Sequence, residues 1–210
     1  MRIAIIGAAG QIPKFLIPKL LNETKANLTL FAKNAVSRLV SYANPRVRIV
    51  SGNADNFKQL KTSIIDANII FIDFDGQKAI SNIIKAMDEL KKKRLIVAGV
   101  LGVHNEVAGA FGKWNQQMIG RYYGSHKAAI RMLEHSDLNY TYMRMTWLYN
   151  QKGNTKYKIE KKGQPLIGAQ VTRQAVSQYI VDLIKNPDLG IRESNGVVEP
   201  NTNFAKPSFY

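Results

Sequence analysis

The sequence predicts an α/β fold: a doubly wound, parallel sheet with helices on both faces. Three observations carry this. Short apolar runs rich in β-branched residues alternate regularly with segments of helical spacing. Within those runs apolar and polar residues do not alternate, as expected of strands buried on both faces. At 210 residues, the chain is long enough for one domain with a substantial core and short for two.

Taken in order, Ile3-Ala4-Ile5-Ile6 reads as the first strand, and helical spacing follows from Gln11 to Leu21. Pro18 lies inside that helix and predicts a kink or an early end, because proline removes a donor and crowds the preceding turn. Leu28 to Phe31 is the second strand, followed by a short helix around Val36 to Ser41. Val47 to Val50 is the third strand, with Phe57 to Ile65 helical behind it. Asn68 to Phe74 is the fourth, and Ile80, Ile83, Ile84, Met87 and Leu90 form the stripe of the next helix. Leu95 to Ala98 is the fifth. Repeated units of this length imply right-handed crossovers. Beyond residue 100 the rhythm loosens into a loop from His104 to Gly112, a long helix from Gln117 to His135, and a strand from Tyr140 to Met145. A charged, glycine-punctuated section from Lys152 to Gly163 and a last helix from Ala175 to Ile184 follow. The chain therefore reads as a single Rossmann-like domain over 1–210, with residues from about 150 forming a small C-terminal, substrate-side lobe of it.

Composition narrows the function classes. No apolar run has membrane-spanning length, so no membrane association is expected. The opening MRIAIIGAAG superficially resembles a signal peptide, but it runs into a glycine turn and an amphipathic segment, as a buried first strand does. The absence of cysteine excludes disulfides, thiolate metal sites and thiol nucleophiles, and a cytoplasmic location is expected. The net charge of +15 is spread along the whole chain, and its densest run, Lys91 to Arg94, directly precedes a strand. With no zinc-finger, basic-zipper or RNP pattern, the charge reads as solvated surface, and nucleic acid is not expected as a partner. His104, His126 and His135 have no metal-ligand grouping, so no metal site is expected.

The first strand empties into Gly7-Ala8-Ala9-Gly10-Gln11-Ile12-Pro13. A dinucleotide-binding turn needs a glycine where the chain leaves the strand and another where backbone approaches the pyrophosphate, roles open to Gly7 and Gly10 with Ala9 between them. The amides of Gln11 and Ile12 would then face the phosphates at a helix N-terminus. Pro13 stands where a third glycine usually lets helix and strand pack closely; in a first turn it sacrifices no hydrogen bond. At the end of the second strand, an acid would select NAD by holding the ribose hydroxyls. Phe31-Ala32-Lys33-Asn34 has no acid there and one cation, so Lys33, helped by Arg38, favours NADP over NAD. Asn53 borders the adenine, and Ala32 and Ala98, at strand ends, complete the expected cofactor contacts.

These residues resemble the atypical short-chain dehydrogenase/reductase group, in its NmrA-like, NAD(P)H-binding branch with small bacterial members. The resemblance rests on the Gly7-x-x-Gly10 loop, the Phe31 to Asn34 turn, Gly52-Asn53-Ala54-Asp55, Leu138 to Arg144, and Val171-Thr172-Arg173. A proline usually follows the arginine of that sixth strand; Met145 stands here instead. The tail Glu199-Pro200-Asn201-Thr202 is also similar to that of the small members.

The resemblance implies a tyrosine four residues before a lysine on one helix face. Tyr123 and Lys127 meet that spacing: the phenol would exchange a proton with substrate, and the ammonium would lower its pKa from about 10 and hold the nicotinamide ribose. Tyr157 and Lys161 repeat the spacing in a polar segment, and Tyr122 pairs with His126 in the same way. The serine or threonine that usually ends the fifth strand is replaced by Ala98-Gly99. Arg144, at a strand end, is either a substrate contact or a buried structural ion pair. His104 lies in a loop placed to cover the cleft. The spacing of Asp73 and Asp75 suggests a carboxylate pair or a magnesium site, but a solvated turn at Asp75-Gly76 explains them more simply. The leading expectation is an NAD(P)H-dependent oxidoreductase that reduces a small carbonyl, quinone or flavin-like acceptor. The alternatives are a non-catalytic NADP(H)-binding redox sensor and, more weakly, an NAD-dependent sugar-nucleotide epimerase. The expected partner is a small-molecule substrate, and the reading is compatible with a homo-oligomer.

Overall fold

The computed structural model describes residues 1–210. In chain order it contains β1 (Arg2–Ile6), α1 (Pro13–Glu23), β2 (Asn27–Ala32), α2 (Ala35–Leu39), β3 (Val47–Ser51), α3 (Phe57–Ile64), β4 (Ile69–Ile72), α4 (Gln77–Glu89) and β5 (Arg94–Val100). There follow α5 (Gly109–Ile119), α6 (Tyr123–His135), β6 (Asn139–Met145), β7 (Trp147–Tyr149), β8 (Lys158–Glu160), β9 (Gln170–Thr172), α7 (Arg173–Lys185) and β10 (Glu193–Val198). The main sheet has the order β3-β2-β1-β4-β5-β6-β10-β8 and is parallel except where β8 runs against β10.

The unbroken apolar runs have a direct cause. Ile3 and Ile5 pack on one face with α1 and α7, while Ala4 and Ile6 pack on the other with α3, α4 and α6. Successive strand residues point to opposite faces, so a strand covered on both sides must be apolar at every position. Helix starts are capped where the sequence offers a cap: Asn56 Oδ1 accepts from Gln59 N at 3.2 Å, and Thr172 Oγ1 from Ala175 N at 2.9 Å. No helix is long and apolar enough to cross a membrane.

Three expectations change. Helix α1 does not end at Pro18 but runs through it to Glu23. Pro18 is exposed, while Leu16, Ile17 and Leu20 on either side are buried, so packing holds the helix across the lost hydrogen bond. The expected long helix from Gln117 is two helices, broken by a 3-10 turn over Gly120–Tyr122, and the first of them begins at Gly109, inside the expected loop. The third change is β10, which the sequence reading leaves unassigned. From about residue 150 onward the chain supplies the outer strands β10 and β8 and helix α7, which packs on α1; β9 pairs with β7 in a separate two-stranded sheet.

Restoring the missing amide at the exposed Pro18 should stabilise the protein. Pro18→Ala is expected to raise unfolding free energy by about 1–3 kcal/mol in urea denaturation; a decrease would show that the ring supports packing.

Candidate functional site

The sheet reverses direction of winding between β1 and β4, and the loop after β1 opens there. Gly7 takes φ +84°, and its amide and that of Ala8 both donate to Phe31 O, at 2.9 and 3.1 Å. Gly10 N donates back to Gly7 O at 2.8 Å, closing the turn. A Cβ on Gly10 would lie 1.8 Å from Asp73 Oδ2, so any side chain there would have to displace the Asp73 carboxylate. The amides of Ala9, Gln11 and Ile12 find no acceptor within the chain. They are free donors at the mouth of α1, the arrangement an anion completes.

A cavity of about 700 Å³ lies against this loop. It brings together Gly7, Ala9, Gly10, Ala32, Lys33 and Asn53 of the predicted cofactor residues, with Arg38. Lys33 and Arg38 are exposed and make no ion pair with any carboxylate. The Arg38 guanidinium is nevertheless held in place by Lys33 O at 3.3 Å and Ala9 O at 3.1 Å. Gly52 admits the Phe31 ring, 2.4 Å from where its Cβ would be, and Asn53 N is held by Gln59 Oε1 at 2.9 Å. Gln11 and Ile12 lie outside this lining: Gln11 borders a neighbouring cavity with Lys14 and Arg38, and the Ile12 side chain is buried under the loop. Ala98 is buried on β5, in the core beside Ile96 and Met143.

Tyr123 begins α6 beneath Gly102, whose absent Cβ would stand 2.3 Å from the phenol oxygen. That oxygen is 2.5 Å from Asn115 Nδ2, and Asn115 Oδ1 is 2.8 Å from Trp147 Nε1. An indole N–H can only donate, so Oδ1 must face Trp147 and the amide N–H must face Tyr123. The phenol oxygen therefore accepts, and its own proton is free to point elsewhere. Lys127 shares the face of Tyr123 but is 5.8 Å from its ring centroid, and its ammonium donates to Asn105 Oδ1 at 2.8 Å. The expected lowering of the tyrosine pKa is not found. Burial and the Glu106 carboxylate push Tyr123 up to about 12.

The two aspartates after β4 face different ways. Asp73 borders the same cavity with Oδ1 unpartnered, and burial raises its pKa to about 8 against the attraction of Arg173. Asp75 is not the solvated turn residue expected. It is buried between His126 Nδ1 at 2.8 Å and the Tyr142 hydroxyl at 2.5 Å, and its hydrogen bond raises the His126 pKa. Tyr142 also explains the missing serine: its ring lies 2.0 Å from where a Cβ on Gly99 would be. Arg144 is fully buried and realises the ion-pair alternative, with Nη1 3.0 Å from Glu106 Oε1 and Nη2 donating to Glu160 O and Ser194 O. Glu106 also accepts from Gly102 N and His104 N, which ties down the loop after β5. His104 in that loop bonds Ser194 Oγ at 2.9 Å, outside the cavity lining.

Sequence reasoning misses Asn115 and Trp147. A lone asparagine in a helix gives no signal; the only cue available was the adjacency Trp114-Asn115 eight residues before the tyrosine.

Comparison with known proteins follows this geometry. The sequence pattern of a family described as NAD(P)H-binding matches residues 7–187. A short-chain dehydrogenase/reductase of wide type from Veillonella parvula, solved in complex with NADP, is 32% identical, covers 99% of each chain and superposes with a TM-score of 0.95. A Rossmann-fold NAD(P)-binding family protein from Shigella flexneri is 26% identical over 100% of this chain and 98% of that one, with a TM-score of 0.80. The UPF0659 protein YMR090W of Saccharomyces cerevisiae is 22% identical, over 98% of this chain and 96% of its own.

Asp73 generates a signed prediction. Its folded-state pKa lies above the usual carboxylate range, so the folded protein holds that proton more tightly than the unfolded chain and loses stability as pH rises from that range to about 8. Asp73→Asn should therefore gain stability over the parent progressively across that interval and level off above it, in urea unfolding as a function of pH. A difference independent of pH would contradict the raised value.

Proposed function

The chain belongs to the NAD(P)H-binding family, and from that membership we propose that it is an NADPH-dependent reductase of a small carbonyl, quinone or flavin-like acceptor. The observation that carries the cofactor choice is the pair of uncompensated cations, Lys33 and Arg38, on the cavity where an acid would read the ribose 2′-hydroxyl. The Veillonella parvula protein, similar over its whole length, is bound to NADP.

The residues fit such a cofactor. The free amide of Ala9, on the cavity lining, would hold the diphosphate, and a side chain on Gly10 would close the approach. Lys33 and Arg38 would hold the 2′-phosphate, and Asn53 would border the adenine. When bound, the nicotinamide supplies a hydride. Tyr123 supplies the proton. Its oxygen is engaged by Asn115, its O–H is free, and like any tyrosine it is protonated at neutral pH. A phenol in that state can donate a proton to a substrate oxygen as hydride arrives. Asn115 fixes the direction of that proton, and Trp147 fixes Asn115.

The test is NADPH consumption with a panel of carbonyls, quinones and flavins. Tyr123→Phe should lower kcat by about 100-fold and leave NADPH affinity unchanged. Lys33→Ala should weaken NADPH by about tenfold and leave NADH unaffected. Cofactor binding without turnover on any acceptor, with Tyr123→Phe indistinguishable from the parent, would contradict the proposal. It would leave the redox-sensor reading, which one observation favours: the Lys127 ammonium is engaged by Asn105 and not by the phenol.

A further inference from the structure

The carboxyl ends of β5 and β6 carry an aromatic cluster that holds both tryptophans of the chain. Trp114 on α5 and Trp147 at the start of β7 have ring centroids 4.8 Å apart at 59°. Tyr210 stands edge-on to both, at 5.2 Å from Trp114 and 5.1 Å from Trp147. The indoles are half-buried, whereas Tyr210 is 53% exposed. Its hydroxyl makes no hydrogen bond within the chain, and its backbone is tied only by an N–H donated to Pro207 O at 3.1 Å. Two rings held in the scaffold are thus covered by a third that is weakly held.

This cluster is wired to the proton donor. Trp147 Nε1–H donates to Asn115 Oδ1, and Asn115 Nδ2–H to the Tyr123 oxygen, with Asn115 fully buried. A group stacked on the indoles would lie two hydrogen bonds from the Tyr123 oxygen, through Asn115. In open parallel sheets ligands bind outside the carboxyl ends of the strands, which is where Trp147, two residues past β6, is found.

We propose that Trp114 and Trp147 form the surface on which a planar conjugated acceptor docks, stacked on one indole and edge-on to the other, with the Tyr210 ring as the group it displaces. The inference rests on the reductase reading and narrows it: the acceptors are flat conjugated rings and not aliphatic carbonyls. The indole faces offer π-stacking that a saturated ring cannot match, and the Tyr210 ring shows that the surface accepts an aromatic neighbour. In the reaction such a ring takes a hydride from NADPH, leaving NADP, and a proton from the Tyr123 hydroxyl, which water restores. Two electrons and two protons reach the acceptor in total.

The experiment titrates the intact protein, in the presence of NADP, with a naphthoquinone and with a saturated bicyclic ketone of similar size, following intrinsic fluorescence. Both tryptophans sit at the site, so the signal reports occupancy without turnover. The naphthoquinone should quench saturably and the ketone should not. Tyr210→Ala should tighten quinone binding by about fivefold, because a competing intramolecular ring is removed. Trp147→Phe keeps a ring but loses the N–H to Asn115, and should leave the quinone KM near the parent while lowering kcat. Unsaturable or equal quenching by both compounds, or weaker quinone binding in Tyr210→Ala, would overturn the site. Saturable quinone binding without NADPH consumption would support the site and defeat the reductase reading. Turnover of aliphatic carbonyls with no fluorescence response would do the reverse.

Discussion

A parallel sheet must be covered on both faces, because each strand reaches its neighbour by crossing over, and in this chain that requirement decides where chemistry can occur. Ile3 and Ile5 commit β1 to helices on one side, and Ala4 and Ile6 commit it to helices on the other. The connections on either side of β1 and β4 then leave in opposite directions and part at the strand ends. The cavity opens in that parting, with the α1 N-terminus beside it. Gly7 and Gly10 are the local consequence: the first turns the chain at φ +84°, and the second yields its side-chain space to Asp73.

Two buried polar arrangements then assign roles to groups that the backbone alone leaves open. The chain Trp147–Asn115–Tyr123 has its direction set by the one member that can only donate, so the phenol accepts from the scaffold and presents its proton outward. Asp75, in the loop after β4, holds His126 and Tyr142 together, and the Tyr142 ring takes the space a side chain on Gly99 would need. The loop between β5 and α5 is secured separately, through Glu106 and the buried Arg144. Breaking that pair from either side would leave an uncompensated buried charge, worth about 3–5 kcal/mol.

Most of the framework was legible in the sequence because it is written in local pattern. Strands β1, β4 and β5 are apolar runs, and the phosphate loop is glycine spacing between a strand and a helix. What escaped is what depends on distant partners. Strand β10 reads Glu-Ser-Asn-Gly-Val-Val, without an apolar run, because Ser194 and Asn195 are buried against hydrogen-bond partners: Asn195 Nδ2 meets the Tyr179 hydroxyl at 2.9 Å, and Ser194 O accepts from Arg144. Asp75 looks like a turn residue until His126 and Tyr142 are brought to it, and Asn115 looks like any helical asparagine. The Tyr123–Lys127 spacing was visible, but the pKa consequence drawn from it depended on a distance that spacing does not supply.

The site proposed for the phosphates of NADP is made by the loop amides together with Lys33 and Arg38. Parallel calorimetric titration of the unmodified protein with NADPH and NADH tests it most directly. Binding of NADPH is expected in the micromolar range, with NADH weaker by about tenfold or more, in keeping with charge-assisted contacts to one additional phosphate. Equal affinity for the two would contradict the role given to Lys33 and Arg38, and binding of neither would contradict the site itself.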